Sequence, residues 1–373
     1  MRKVFVAADN IFSPLGKDTF SNLSALKQGH SGIRLHQETI SENPFYASLL
    51  PPDFKAGNPQ LTPFENIVFA SASDALKDQQ ADAASSRTGF ILSTTKGNIG
   101  LIENGIPDAD ADRQTGLTES AMRIAACLGI QNEPIIVSHA CISGLLAMIT
   151  GMRMIQSGLY DQVIVSGADL ITAFIFSGFQ SFQAISPNPC RPFDANRDGI
   201  TLGEAAATVI LSSVNSGGAV QLSGGSVSND ANHISGPSRT GEELFMAIRN
   251  ALRQAAISAG EIDFISAHGT ATRYNDDMEA RAINLAGMGP VPLNSLKGFY
   301  GHTLGAAGLV ESIVSLHSLK ENILFPTKGY SEPGTEREVH VIKELRSAKI
   351  SKCLKTASGF GGCNAAIILE NLN

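Results

Sequence analysis

Three short segments carry side chains whose types could do chemistry together. The first is Ser138-His139-Ala140-Cys141-Ile142-Ser143-Gly144. It joins an apolar run, Pro134 to Val137, to a small-residue segment, Cys141 to Ser157, that reads as a helix. A cysteine at a helix N-terminus meets unpaired N–H groups and the positive end of the dipole. Both stabilise a thiolate and lower the thiol pKa. A backbone N–H left free in that turn can help form an oxyanion hole. The other reading of Cys141 is a buried structural cysteine. The second segment is Ser266-Ala267-His268-Gly269-Thr270-Ala271-Thr272, followed by Asn275-Asp276. His268 lies just past a strand, in a glycine-containing loop of the kind that carries catalytic groups on a rigid scaffold. A satisfied core histidine is the alternative. The third segment runs Lys297-Gly298-Phe299-Tyr300-Gly301-His302-Thr303-Leu304-Gly305-Ala306-Ala307-Gly308. Glycines flank His302 and permit close backbone approach ahead of a small-residue helix. Tight helix packing, with the histidine incidental, is the alternative.

The elements that must position these groups alternate between strand and helix. Val4 to Ala8 reads as a strand, Ser13 to Gly16 as a turn, and Lys17 to Gln28 as a helix. His36 to Gln60 is polar, holds several prolines and reads as irregular surface. A helix is predicted from Thr62 to Asp78 and a buried strand over Thr88–Ser93. Pro134–Val137, the helix after it and Gln162–Gly167 suggest a parallel crossover. Thr208 to Ser212 closes a first half. Asn215-Ser216-Gly217-Gly218 reads as a turn or short linker. The second half repeats the grammar. It has strands at Val220–Ser228, Ile262–Ala267, Val291–Ser295 and Ala366–Glu370, with helices at Gly241–Ala259, from Asp276, and at Gly305–Lys320. Two units, 1–214 and 215–373, are expected, without a residue-level repeat.

Composition narrows the function classes. With 373 residues, 43% of them hydrophobic and 17% charged, the chain can bury a large dry core. A net charge of −7 disfavours a general nucleic-acid binder. No run of 18 or more apolar residues occurs, so no membrane span is expected. The start, Met1-Arg2-Lys3-Val4-Phe5-Val6, becomes a strand at once and lacks an apolar signal region, which predicts a cytoplasmic location. The five cysteines are odd in number and none has CxxC spacing, which argues against a disulfide framework or a zinc site.

Taken in order, the segments around Cys141, His268 and His302 resemble the three catalytic motifs of the β-ketoacyl-acyl carrier protein synthases. Their separations of 127 and 34 residues fit that family. Arg191-Pro192-Phe193-Asp194, continuing through Arg197-Asp198-Gly199 to Gly203-Glu204, and Gly359-Phe360-Gly361-Gly362 match it as well. The resemblance is to the elongating synthases and runs over nearly the whole chain. It implies an α/β thiolase-like fold: two pseudo-repeated αβαβα halves in a five-layered α-β-α-β-α core. The first half would carry the nucleophilic cysteine and the second both histidines. It implies acyl transfer to Cys141, then decarboxylative condensation with malonyl-acyl carrier protein, in fatty-acid or polyketide and polyene-type biosynthesis. His268 and His302 would donate hydrogen bonds to the malonyl thioester, and the N–H groups of Cys141 and Phe360 would hold the tetrahedral oxyanion. Lys297 matches a lysine that supports the histidines, and Glu311 its acidic partner. Thr270 and Thr272 match hydroxyls that contact the phosphopantetheine arm, and Phe360 matches a gate. Asp198 would brace a loop. No metal or organic cofactor is implied, because phosphopantetheine arrives on the carrier protein. The partners implied are an acyl carrier protein, acyl and malonyl thioesters, and a second subunit in a homodimer or a heterodimer. Val163–Ser166 is the candidate strand for pairing across the two-fold axis.

Several positions depart from the family pattern. The chain is shorter than usual, with the missing length before Cys141. Thr94-Thr95-Lys96-Gly97 replaces a glycine-rich loop, and Gly298 and Tyr300 replace the usual residues after the motif lysine. Ala205 follows Gly203-Glu204 where a glycine is usual, and Gln183 stands where an arginine often contacts the carrier. Lys96 is the candidate for a positive patch near the pocket mouth. Two rival readings follow. One is a non-condensing chain-length-factor-like partner, which would usually lack the cysteine. The other is a coenzyme A thiolase, for which Cys363 would be the second cysteine.

Overall fold

The computed structural model describes residues 2–37, 40–55, 57–77, 83–103, 105, 114–215, 220–231 and 236–372. The first half supplies strands β1 (Phe5–Phe12), β2 (Arg34–His36), β3 (Phe45–Ser48), β4 (Thr88–Ser93), β5 (Ile135–Val137), β6 (Gln162–Asp169), β7 (Leu202–Gly203) and β8 (Ala205–Ser212). The second supplies β9 (Val220–Asn229), β10 (Phe264–Ser266), β11 (Pro292–Asn294), β12 (Ile323–Leu324), β13 (His340–Val341), β14 (Arg346–Ser347), β15 (Lys352–Gly359) and β16 (Cys363–Glu370).

The duplication that the sequence shows only as similar grammar is complete in the strand pairing. In the first half the order is β1-β8-β6-β4-β5, with two antiparallel steps and then two parallel ones. In the second half β9-β16-β15-β10-β11 repeats both the order and the sense, with β13 added at the edge. The halves join where β1 meets β9, through Phe5 opposite Gln221 and Val6 opposite Val220. β5 and β6 run in the same direction with β4 between them, as a crossover through the intervening helix requires.

Helices fill three layers around the two sheet halves. Pro63–Leu76 covers the outer face of the first half, and Glu242–Ala255 and Arg273–Leu285 that of the second. Ser143–Gln156 and Ala307–Glu321 lie side by side between them. The five-layered core expected from the resemblance is therefore the observed one. Local chemistry sets the start of the first of these helices. Thr62 accepts from the Glu65 N–H while Glu65 accepts from the Thr62 N–H, a capping box with Pro63 in the first turn. The predicted end of that helix, Asp78, and residues 216–218 of the predicted linker lie outside the described residues. Every residue of β4 is buried, as a parallel strand covered on both faces demands. Ala307–Glu321 is buried on nearly every side because it is the middle layer.

Close approach of the two central helices depends on glycines. An added Cβ at Gly144 would lie 2.9 Å from the Leu309 nitrogen, and one at Gly308 would lie 2.6 Å from the Leu145 nitrogen. These contacts are with backbone and cannot rotate away. Gly308→Ala is expected to lower stability by about 1–3 kcal/mol through overpacking. Urea denaturation checks this, and an unchanged midpoint would mean that the helices slide apart freely.

Some expectations need correction. His36–Gln60 is not wholly irregular: β3 and the single turn Pro52–Lys55 lie within it, while residues 38, 39 and 56 lie outside the described residues. The helices Leu117–Cys127 and Ala173–Ser181 and the strand β15 are additions to the sequence reading. The helix expected to begin at Cys141 begins at Ser143, which leaves Cys141 in the preceding turn. Val163–Ser166 cannot pair across a two-fold axis, because β6 is hydrogen-bonded to β4 on one side and β8 on the other. The outermost strand of the first half is β5.

Candidate active site

The Cys141 and His268 segments each leave a strand end and turn sharply, and His302 follows the single helical turn Lys297–Tyr300. Val137 ends β5, and Ala140, next to Cys141, has φ +46°. Ser266 ends β10, with Gly269 at φ +43° and Ala271 at +65°. Leu304, two residues past His302, has φ +50°. A non-glycine residue in the left-handed region costs roughly 1–3 kcal/mol and persists only where the surroundings hold it. Such a residue stands beside all three candidate groups. Ser143 helps hold the first turn, since its hydroxyl donates to the Ala140 carbonyl and accepts from the His139 N–H.

The turns converge. Cys141 Sγ and ring nitrogens of His268 and His302 lie within 4.8 Å of one another. The two rings meet edge to face at 5.2 Å. They face a cavity of about 910 Å³ that Thr270, Thr272 and Phe360 also line. The Thr270 and Thr272 hydroxyls are 2.9 Å apart. Phe360 packs against Phe179 at 5.6 Å and Phe182 at 5.3 Å, so three aromatic rings cluster at the cavity wall.

Lys297 fixes the protonation of the first ring. Its ammonium donates to the His268 carbonyl at 2.5 Å and to Glu311 Oε1 at 2.7 Å, and lies 3.3 Å from His268 Nδ1. An ammonium only donates, so Nδ1 accepts and the proton of the neutral ring sits on Nε2. In His302 the Leu304 N–H donates to Nδ1 at 3.4 Å, which puts that proton on Nε2 as well. Burial holds both histidines well below the ordinary value, and the Lys297 charge adds to this. Neutral rings with protons on Nε2 present donors rather than lone pairs, an arrangement suited to an oxyanion and not to a metal cation.

Cys141 corrects an expectation. Burial, helped by Cys363 and Asp169, pushes its thiol up to about 12 against the opposing pull of Lys297 and Lys96. Burial thus works in favour of the resting thiol, opposite in direction to the lowering expected from the nearby helix end. Its alkylation by iodoacetamide is expected to speed up about tenfold per pH unit from pH 7 to 9, as the thiolate fraction grows. Intact mass against time measures this, and a plateau below pH 8 would contradict it.

Three groups around the triad were not singled out in the sequence. Lys355, in β15, is fully buried, and its ammonium lies 2.6 Å from Glu311 Oε2. Glu279 accepts from the His268 and Gly269 N–H groups, both at 2.8 Å. Asp169 accepts from Thr94 Oγ1, from Thr95 and Lys96, and from the Gly305 N–H at 2.7 Å, which ties the 94–97 loop to the turn after His302. Only Glu279 left a trace in the sequence, three residues after the Asn275-Asp276 pair and one helical turn on.

The remaining matches sort into scaffold and rim. Asp194 accepts from the Asn196, Ser331 and Glu332 N–H groups, and buried Arg197 pairs with Asp277 at 3.0 Å. Asp198 accepts from the Ser186 hydroxyl and from Asn188, and so braces its loop. Gln183 lines the cavity, whereas Lys96 is exposed without lining it; exposed Arg239 and Arg273 do line it. Cys363 Sγ donates to the Phe360 carbonyl at 3.3 Å and is not among the residues that line the cavity. Gly361 and Gly362 form the β15–β16 turn with φ +85° and +74°, and a Cβ at Gly362 would lie 1.8 Å from the Asp230 carbonyl oxygen.

Comparison with known proteins decides the family. The model of the β-ketoacyl synthase N-terminal domain matches residues 1–216, and that of the C-terminal domain matches residues 219–331. The chain belongs to the β-ketoacyl synthase family. This synthase is 29% identical to 3-oxoacyl-[acyl-carrier-protein] synthase 2 of Rhizobium meliloti over 99% of both chains. It is 30% identical to the putative polyketide β-ketoacyl synthase 1 of Streptomyces cyaneus, over 75% of this chain and 70% of that one. A chain in the complex of a ketosynthase with its chain length factor from Xenorhabdus doucetiae is 26% identical, with a TM-score of 0.85 and coverage of 99% and 98%. The fold is thiolase-like, and the enzyme is a condensing acyltransferase of fatty-acid or polyketide biosynthesis. Among the described residues no helix is long and apolar enough to cross a membrane.

Proposed function

We propose that this synthase joins an acyl unit, carried on Cys141, to a malonyl unit delivered by an acyl carrier protein. The observation that carries this reading is the convergence of one thiol and two Nε2–H donors on a single cavity. The Cys141 sulfur attacks the acyl thioester, its proton passes to the departing phosphopantetheine sulfur, which leaves as the thiol, and an acyl-enzyme forms. The malonyl thioester then places its carbonyl oxygen against His268 and His302. The bond to the carboxylate breaks, carbon dioxide leaves, and the electron pair becomes an enolate that the two donors stabilise. The enolate carbon attacks the acyl-cysteine carbonyl. The N–H groups of Cys141 and Phe360 hold the tetrahedral oxyanion, and its collapse expels Cys141 and releases the longer chain. Lys297 and Glu311 orient His268, Thr270 and Thr272 contact the arm, and Phe360 gates the acyl pocket. The activation comes from the thioester, so the scheme needs no metal or organic cofactor.

The units 1–214 and 215–373 divide this labour, with the nucleophile in one and the donors in the other. The carrier protein docks at the cavity mouth, where Arg239 and Arg273 supply positive charge on a chain of −7. A second subunit, identical or related, adds at the β5 edge, since among the described residues β5 has a sheet neighbour only in β4. The cytoplasm, where five unpaired cysteines stay reduced, is the compartment that suits the chemistry.

Intact mass after incubation with acyl-carrier thioesters of varied chain length tests the reading. An added acyl mass that disappears in Cys141→Ala is expected. No added mass with any primer, in folded protein, would favour a non-condensing partner of a second synthase subunit.

A further inference from the structure

A lysine in the middle of an apolar strand is the least expected residue in this molecule. Lys355 lies in β15 opposite Ser266 of β10, the last strand residue before the His268 loop. It is fully buried. Its ammonium has three protons and four oxygen neighbours: the carbonyls of Thr356 at 2.6 Å, Ser266 at 3.2 Å and Ala267 at 3.3 Å, and Glu311 Oε2 at 2.6 Å. Burying a second ammonium beside Lys297 costs free energy unless each charge is paired. One carboxylate, Glu311, serves both: Oε1 accepts a hydrogen bond from Lys297, while Oε2 is held to the Lys355 ammonium by ion pairing at 2.6 Å, without the angles of a hydrogen bond.

This division of Glu311 matters because Lys297 has no proton to spare. Its three protons face the His268 carbonyl, Glu311 Oε1 and His268 Nδ1, and the contact to Nδ1, at 3.3 Å, is the longest. If both Glu311 oxygens turned to Lys297, the weakest contact would be lost first. His268 would then be free to exchange tautomers, and the donor on Nε2 would no longer be assured. We propose that Lys355 is a positioning residue for decarboxylation: by holding Glu311 Oε2 it keeps one Lys297 proton on His268 Nδ1, and so keeps the His268 Nε2–H aimed at the extender thioester. Lys355 touches neither substrate nor the reacting atoms. The role rests on the reading of His268 and His302 as the decarboxylating pair.

Charge has a second effect. The ionisable groups that face the two rings are Lys297, Lys355, Glu311, Glu279 and Cys141, besides the rings themselves. Two ammonium groups and two carboxylates balance there. Removing the Lys355 charge leaves an excess of carboxylate, which makes protonation of the imidazoles easier and moves the acid limb of decarboxylation to higher pH.

The test uses Lys355→Met, which removes the ammonium with a similar chain length, and Lys355→Gln, whose amide keeps a donor for Glu311. Decarboxylation of malonyl-acyl carrier protein and acyl transfer to Cys141 are measured separately, after urea denaturation has shown that each variant folds. For Lys355→Met the expectation is a kcat for decarboxylation about tenfold lower, the loss of roughly one well-placed hydrogen bond, with KM and acyl transfer nearly unchanged. Its acid limb should move up in pH, and Lys355→Gln should recover part of kcat. Unchanged kcat and pH profile in both folded variants would overturn the proposal, as would failure of both to fold, since the lysine would then serve the fold alone. If His268→Ala slows decarboxylation strongly while Lys355→Met leaves its kcat and pH profile unchanged, the lysine role falls and the proposed function stands. If neither affects it, the proposed function falls too.

Discussion

His268→Ala is expected to slow decarboxylation of the malonyl thioester by about 10²–10³, the effect of removing one aligned oxyanion donor from a dry site. Acyl transfer to Cys141 should remain within a few fold, because the oxyanion of that step is held by backbone N–H groups and not by the ring. The two half-reactions are separable by measuring carbon dioxide release in one assay and acyl mass on the protein in the other. His302→Ala should behave similarly, since its Nε2–H is set by a different donor, the Leu304 N–H, and aims at the same space. The pair act on one oxygen, so their losses are not expected to add. Equal loss in both half-reactions would mean that the histidine acts on Cys141 and would sink the division of roles. The buried, depressed rings make a further demand: both stay neutral well into the acid range, so wild-type decarboxylation should show no loss near pH 6.5.

Glu311→Ala should be the most damaging single change to stability, about 3–5 kcal/mol. Glu311 lies between two buried ammonium groups, at 2.7 Å from Lys297 and 2.6 Å from Lys355. Removing it leaves Lys297 with the His268 carbonyl and ring, and Lys355 with three carbonyls, and, among the described residues, no counter-charge touching either. At least one lysine must then lose its proton or draw in water. Burial already pushes Lys355 below the ordinary lysine value, and Glu311 is the main influence that restores it. The measurement is the urea midpoint at constant m. A loss under about 1 kcal/mol would show that the two lysines do not depend on Glu311 as a counter-charge, which would also remove the basis for its division between them.

Much of the site was legible because its chemistry is local. A cysteine between an apolar strand and a small-residue helix, and two histidines each next to glycine, are turns that any chain would have to make in that way. Their order and spacing were enough to name a family, and five of the positions named from it, Cys141, His268, His302, Lys297 and Glu311, do meet. The thiol was misjudged for a physical reason. A helix end can be read from neighbours in sequence, whereas burial and the charges that act on the thiol come from residues far away, the charges here including Cys363 and Asp169. The pairing strand was misjudged in a similar way. Val163–Ser166 looks like any apolar strand, and only the presence of β4 and β8 on its two sides makes it interior.

The sequence by itself determined the alternation of strands and helices, because periodicity and turn chemistry act over a few neighbours, and the resemblance of its ordered motifs supplied the reaction class and the candidate residues Cys141, His268 and His302. Tertiary structure alone decided that the strand order repeats step for step in both halves, that Glu311 is divided between two lysines, and that Lys355 belongs to the site at all. Those facts depend on contacts between residues tens to hundreds of positions apart, 89 in the case of Lys355 and Ser266. Neither the periodicity of β15 nor the character of lysine carries any mark of such a partner.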